Sequence, residues 1–267
     1  MRHYTIFLIL TAFIIQACSH QQSTGSTSLV TDTVKIEKDT GKAKTTIMAV
    51  YPQNGNQALT TAIKEYISEQ LGGTYSGQLD NADSVISYYC NAHSDSLLKM
   101  YDGFGNGYAP MLYYSQVITI AEETNTYVTY TDIVEEFLGG AHGMTNMSGT
   151  TFRKSDGRRF GDEILRNTDT QDFHNLLKEG VKQYFTSNGT KINSDEELKA
   201  MLLPEQFVDY LPLPKSHPYL TKEGVVFIYQ PYEIAPYAAG RPSFTIDYNK
   251  IKPYLTQTVI KMLDKIK

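Results

Sequence analysis

The sequence predicts an α+β fold of antiparallel sheets with helices packed on them, in two subdomains. Three observations predict it. Apolar residues recur at helical spacing in two early segments, a period of two takes over near residue 111, and the strands that follow are joined by short polar turns. Consecutive strands on short turns form an antiparallel meander, and the helical blocks must bury their apolar stripes against it.

The body opens with Val34 to Tyr51, an extended strand pair interrupted at Gly41, and Pro52 to Asn56 supplies turn chemistry. Ala58, Ile63, Tyr66 and Ile67 fall near helical spacing, giving an amphipathic helix that stops at Gly72-Gly73. A second helix spans about Asn81 to Tyr101, with Val85, Ile86, Tyr89, Leu97, Leu98 and Met100 as its apolar positions and Gly103, Gly105 and Gly107 ending it. Strands follow at Met111 to Ile120, Thr126 to Phe137 and Met144 to Phe152, and Ser155-Asp156-Gly157 makes a hairpin. A helix covers about Asp172 to Phe185. Ser194 and Glu197 have the spacing of a capping box, opening a short helix through Leu203. The last third is a strand at Gly224 to Tyr229, a loop at Gln230 to Pro242, a strand at Ser243 to Tyr248 and a closing helix from Lys252.

The start of the chain reads as a lipoprotein signal over residues 1–17. Arg2 and His3 form a basic start, Ile6 to Ile15 an apolar run broken by Thr11, and Ile15-Gln16-Ala17-Cys18 the cleavage site. The run is too short for a helix across about 30 Å of hydrocarbon. Cys18 is the expected lipid-attachment residue, and its acyl chains the link to the bilayer. A plain secretory signal that happens to contain a cysteine is the alternative. Residues 18–33, poor in apolar content, read as a flexible tether reaching roughly 20–25 Å. No acidic run follows Cys18, which points to the periplasmic face of a membrane, the outer one.

Cleavage would remove Arg2 and leave 23 basic against 29 acidic residues, a net charge near −6. Such a balance argues against nucleic acid, which needs clustered Lys and Arg, and suits a basic partner. With Cys18 lipidated, Cys90 has no partner for a disulfide and reads as a small buried apolar residue. The subdomain boundary falls near the turn at Asn125, giving 34–123 and 124–267.

Two segments stand out as candidate binding elements. Gly139, Gly140, Ala141, His142 and Gly143 put three glycines around one imidazole, which indicates a tight backbone path. His142 is either a base or ligand on a strained loop, with Asp132, Glu135 and Glu136 upstream, or a bulge residue bonded to neighbouring backbone. The latter reading is favoured, because a metal site needs three or four ligands and no His-x-x-x-His or cysteine pairing occurs. Neither a metal nor another cofactor is expected. The second segment, Tyr229 to Pro242, carries Tyr232, Glu233, Tyr237, Gly240 and Arg241 among three prolines. Proline stiffens it, and Tyr and Arg are favoured at recognition hot spots. Tyrosine hydroxyls tied to backbone are the structural alternative.

Gly139-Gly140-Ala141-His142, the strand-turn-strand ending near Gly161-Asp162, and above all Tyr232 to Gly240 resemble the bacterial extracytoplasmic domain of unknown-function family 3298. Residues 34–120 resemble its companion 4163 domain. The resemblance covers most of the mature chain. It implies an RsiV-like envelope binding module, since the ectodomain of that anti-sigma factor binds lysozyme and related domains accompany peptidoglycan deacetylases. The sigma-binding segment and transmembrane helix of that relative are not found here, so direct transmembrane signalling is not expected.

The leading expectation is therefore a lipid-anchored periplasmic binding protein, whose partner is lysozyme, another envelope protein or peptidoglycan. Hydrolysis or deacetylation, with His142 as base and Glu233 paired to Glu135 or Asp162, is the weaker alternative, and no enzyme activity is expected. Carbohydrate binding without catalysis lies between them. The chain has no Trp to stack on a sugar, but it has 20 Tyr.

Overall fold

The computed structural model describes residues 28–105, 109–206 and 208–266. The expected signal, Cys18 and the tether up to residue 27 lie outside the described residues, as does Gly107. The last four residues assigned to the tether do not belong to it: strand β1 runs from Val30 to Asp39. It pairs antiparallel with β2, Ala43–Asn54, and so its polar Thr31, Asp32 and Thr33 are held by ladder hydrogen bonds that composition does not reveal. Gly41, at φ +74°, turns the chain between them.

Helices α1 (Gln57–Gln70) and α2 (Ala82–Asp102) follow, each opened by an asparagine whose side chain accepts from the first free backbone N–H groups, Asn56 and Asn81. Then come β3 (Leu112–Glu123), β4 (Tyr127–Phe137), β5 (Met144–Arg153) and β6 (Arg159–Phe160). These six strands form one sheet in sequence order. One pair departs from the antiparallel pattern: β2 and β3 are parallel. Parallel neighbours need a crossover, and α1 and α2 are that crossover. The sheet runs through the boundary expected at 123/124, which falls in the turn between β3 and β4.

One face of the sheet packs on α1 and α2. Ile47, Ala49, Tyr51, Ile118, Val128, Tyr130 and Phe152 meet Ile63, Tyr66, Val85, Ile86 and Tyr89 in a single buried cluster. The opposite face is covered over β4 and β5 by a second sheet of β7 (Tyr219–Leu220), β8 (Gly224–Ile228) and β9 (Ser243–Asp247). Its outer face joins α3 (Gln171–Ser187) and α4 (Asp195–Met201) in the larger core, with Phe173, Leu177, Val181, Phe227, Phe244 and Ile246 at its centre. Gly180 of α3 allows the close approach, because a Cβ there would lie 2.1 Å from the Phe244 ring.

Ser194 caps α4 by accepting from Glu197 N–H, while the Glu197 carboxylate accepts from Asn193 N–H, one residue before the position a full capping box uses. The closing helix expected from Lys252 is a 3-10 turn at Lys252–Tyr254 followed by α6 (Gln257–Leu263), and a short α5 (Tyr248–Ile251) precedes it. Pro253 lacks the N–H that a continuous helix would use, and Leu255 is extended. Among the described residues no helix is long and apolar enough to cross a membrane.

Candidate functional site

The two segments singled out from sequence, about ninety residues apart, meet in the fold. Leu138 to Gly143 is the β4–β5 hairpin loop, with Gly139 at φ +94° and Gly140 at φ +99°, values that favour glycine. Gly139 also has Phe104 above it, where a Cβ would come within 2.8 Å of the ring. Residues 230–242 lie against the start of β5. Gln230 holds them there as an extra strand would: its Oε1 accepts from Met147 N–H at 3.1 Å and its Nε2 donates to Met147 carbonyl at 2.6 Å.

Three of the expected binding residues form one aromatic stack. The His142 imidazole lies on the Tyr237 ring, centroids 3.7 Å apart and planes 17° apart, and Tyr232 stacks on Tyr237 at 5.6 Å. His142 Nδ1 is 2.9 Å from Gly143 carbonyl, which fixes the Nδ1–H tautomer for the neutral ring and leaves Nε2 to accept from the Tyr232 hydroxyl at 3.3 Å. The imidazole therefore bonds to neighbouring backbone as expected, but in a hairpin loop and not in a bulge, since the β4–β5 register is unbroken. Tyr237 hydroxyl donates to Gly143 carbonyl at 2.7 Å and ties the loops together. Tyr232 is 49% exposed and its backbone sits at φ +64°, a conformation that costs a non-glycine residue about 1–2 kcal/mol.

Of the other expected residues, Glu233 and Arg241 turn inward. The Glu233 carboxylate accepts from Lys215 N–H at 2.6 Å and Gln230 N–H at 2.7 Å, so it braces the loop instead of facing a partner or meeting Glu135 or Asp162. Arg241 donates to Thr145 carbonyl at 3.2 Å, and burial holds its guanidinium below its usual range. Gly240, at φ +76°, passes beneath Tyr184, where a Cβ would lie 2.6 Å from the hydroxyl. Ala141 is exposed beside His142. Gln230 is the residue whose role the sequence does not announce, since a glutamine before a proline carries no signal of a strand-like clamp. Among the described residues no group of three or more His, Cys, Asp or Glu is arranged to hold a metal.

Part of the chain matches a known family, and the whole resembles solved structures. Residues 163–249 match the family model described as protein of unknown function (DUF3298). A crystal structure of a member of that family from Bacteroides fragilis NCTC 9343 is similar with a TM-score of 0.70 at 20% identity, over 90% of this chain and 99% of that one. A DUF3298 family protein from Pseudomonas aeruginosa PAO1 is similar at 0.58 and 16%, over 88% and 97%. No curated protein matches the chain. At these identities the likeness carries the fold alone. Residues 163–249 are thus a DUF3298 domain, set in a chain that shares its fold with two solved proteins of that family.

Proposed function

We propose that the protein is a lipid-anchored, periplasm-facing binding module of the bacterial envelope, held in the outer membrane through acylated Cys18. In this reading it is RsiV-like, with a 4163-like N-terminal half. Its contact surface is the stack of His142, Tyr237 and Tyr232, and its target is an envelope protein of the lysozyme kind. The reading is of a binder, not an enzyme.

One observation carries it. Two stiffened loops converge to hold an exposed tyrosine in a strained backbone conformation, and Tyr232 is braced there by His142 and by Tyr237 beneath it. Side chains already fixed before contact lose little entropy on binding, which is how a small patch becomes a hot spot. The excess of acidic residues supports a basic partner, chiefly by speeding encounter.

Biolayer interferometry of the full chain in detergent against a panel of lysozymes, at two salt concentrations, tests this. Saturable binding is expected, with an association rate that falls as salt rises. Tyr232→Ala should weaken it about tenfold or more while leaving the melting temperature within about two degrees. Absence of binding across the panel, or binding indifferent to both Tyr232→Ala and His142→Ala, would remove the stack from the function.

A further inference from the structure

A second site lies apart from the aromatic stack. Strand β6 is only two residues long and its pairing with β5 ends at Thr151, so among the described residues the β5 edge from Thr150 back to Ser148 has no strand neighbour. A cleft of about 500 Å³ opens there between the end of α1 and the loop at 215–217, within the range of small-molecule sites. Its walls carry Gln70, Ser148, Thr150, Arg159, Lys215 and Ser216.

The carboxylates around it are already engaged. Glu69 accepts from both terminal nitrogens of Arg159, at 2.6 and 2.7 Å. Asp162 bonds to His217 at 2.9 Å, and Glu163 accepts from Gly161 N–H at 3.0 Å. Lys215 is exposed and, among the described residues, has no carboxylate within salt-bridge reach; its backbone N–H alone is tied, to Glu233. Behind this wall, and not part of it, the Tyr66 hydroxyl is buried beside Ser148 and Thr150. Arg159 covers the Tyr66 ring at 4.9 Å. The lining therefore combines hydroxyl and amide groups that donate and accept with one uncompensated ammonium.

We infer that this cleft binds a hydroxylated sugar bearing a single carboxylate, with the ring hydroxyls on Ser148, Thr150 and Gln70 and the carboxylate on Lys215. Ring hydroxyls match groups that both donate and accept, and a carboxylate is the acceptor that an unpaired ammonium recognises. A dianionic or oligoanionic ligand would face the flanking acids, whereas a single negative charge meets one cation. The envelope setting of the preceding proposal enters only in the choice of probe. Lys215 and Thr150 lie outside the aromatic stack, so failure of lysozyme binding leaves this site standing, and the reverse holds too.

N-acetylmuramic acid and N-acetylglucosamine differ by one carboxylate-bearing arm and make the test. Ligand-observed NMR titration of the full chain in detergent micelles should show saturable binding of N-acetylmuramic acid and at least about tenfold weaker binding of N-acetylglucosamine. Lys215→Gln should weaken N-acetylmuramic acid about tenfold and leave N-acetylglucosamine unchanged, and Thr150→Val should weaken both. Equal binding of the two sugars, no saturable binding of either, or binding untouched by both substitutions would overturn the assignment.

Discussion

The two faces of the six-stranded sheet are closed in different ways. On the helix face, α1 and α2 are local in sequence and cover the sheet directly, and the buried cluster draws mainly on residues 29–90 with a few from β3, β4 and β5. On the other face closure is by a second sheet that arrives about seventy residues after β5, and it covers only β4 and β5. Across β2 and β3 that face stays half-buried, with Met48, Val50 and Val117 on it. The helix face tolerates a buried acid, Asp132. The sheet-on-sheet face tolerates no added atom at its centre. A face closed by helices can thus leave an ionisable group in a gap, whereas two sheets in contact depend on shape and on neutral hydroxyls that bridge them.

The largest expected effect tests that dependence. Tyr219 of β7 lies over Gly149 of β5, and a Cβ at Gly149 would come within 2.2 Å of its ring. Neither sheet can yield without breaking the hydroxyl bridge beside it, where Thr129 donates to Leu220 carbonyl at 2.7 Å and Thr151 accepts from Leu220 N–H at 2.9 Å. Gly149→Ala should destabilise by about 3 kcal/mol, read by urea denaturation. A loss under about 1 kcal/mol would show that the second sheet is free to move.

On the helix face the next effect has the opposite sign. Asp132 is 5% exposed, its carboxylate meets only Gln116 Nε2 among the described residues, at 3.0 Å, and burial pushes its pKa up to about 6. A carboxyl whose folded pKa is raised holds its proton longer in the folded state than in the unfolded one. Its contribution is therefore neutral below about pH 4, turns unfavourable as pH rises toward 6, and is fully unfavourable above that. Asp132→Asn should stabilise by about 1–3 kcal/mol at pH 7.5 and by almost nothing at pH 4. Denaturation at both pH values reads this, and a variant less stable than the parent at pH 7.5 would mean that the ionised form is held by partners better than Gln116.

The helix face was also the more legible of the two in sequence. Its helices come from periodic apolar positions, and the asparagines that cap them, Asn56 and Asn81, stand at the turns that precede them. What sequence did not show was non-local. The parallel β2–β3 pairing depends on where a crossover lands, and β7 is two residues long, too short for any period. At the candidate site, the glycines and prolines marked both loops, because backbone restriction is written in residue type. That the loops meet, and that Glu233 and Arg241 face inward while His142 and Tyr232 face out, rests on contacts across about ninety residues. The cleft at Ser148 arises where β6 stops, and no residue type marks the end of a two-residue strand.

A smaller effect probes the rim of the sheet-on-sheet face. Tyr237→Phe keeps the ring under His142 and removes the hydroxyl that reaches Gly143 carbonyl. It should lower stability by about 1 kcal/mol and speed amide exchange in residues 139–147, while exchange in α1 and α2 is unchanged. Equal acceleration in both regions would mean that the loops and the helix face open as one unit.

Cys90 gives the smallest effect and the sharpest view of the helix face. It sits on α2 against the β1–β2 pair, its thiol 3.8 Å from Ile36 carbonyl and 3.9 Å from Thr45 carbonyl. Burial pushes the thiol up from its usual range, so the reactive thiolate is scarce at neutral pH as well as shielded. Labelling by a disulfide reagent should therefore proceed only as fast as α2 lifts from the sheet, and become immediate in denaturant. Cys90→Ala, which leaves a small gap, should cost about 1 kcal/mol. If the folded protein labels within seconds, α2 separates readily from the strands, and the contrast between a closed helix face and a half-open opposite face would be lost.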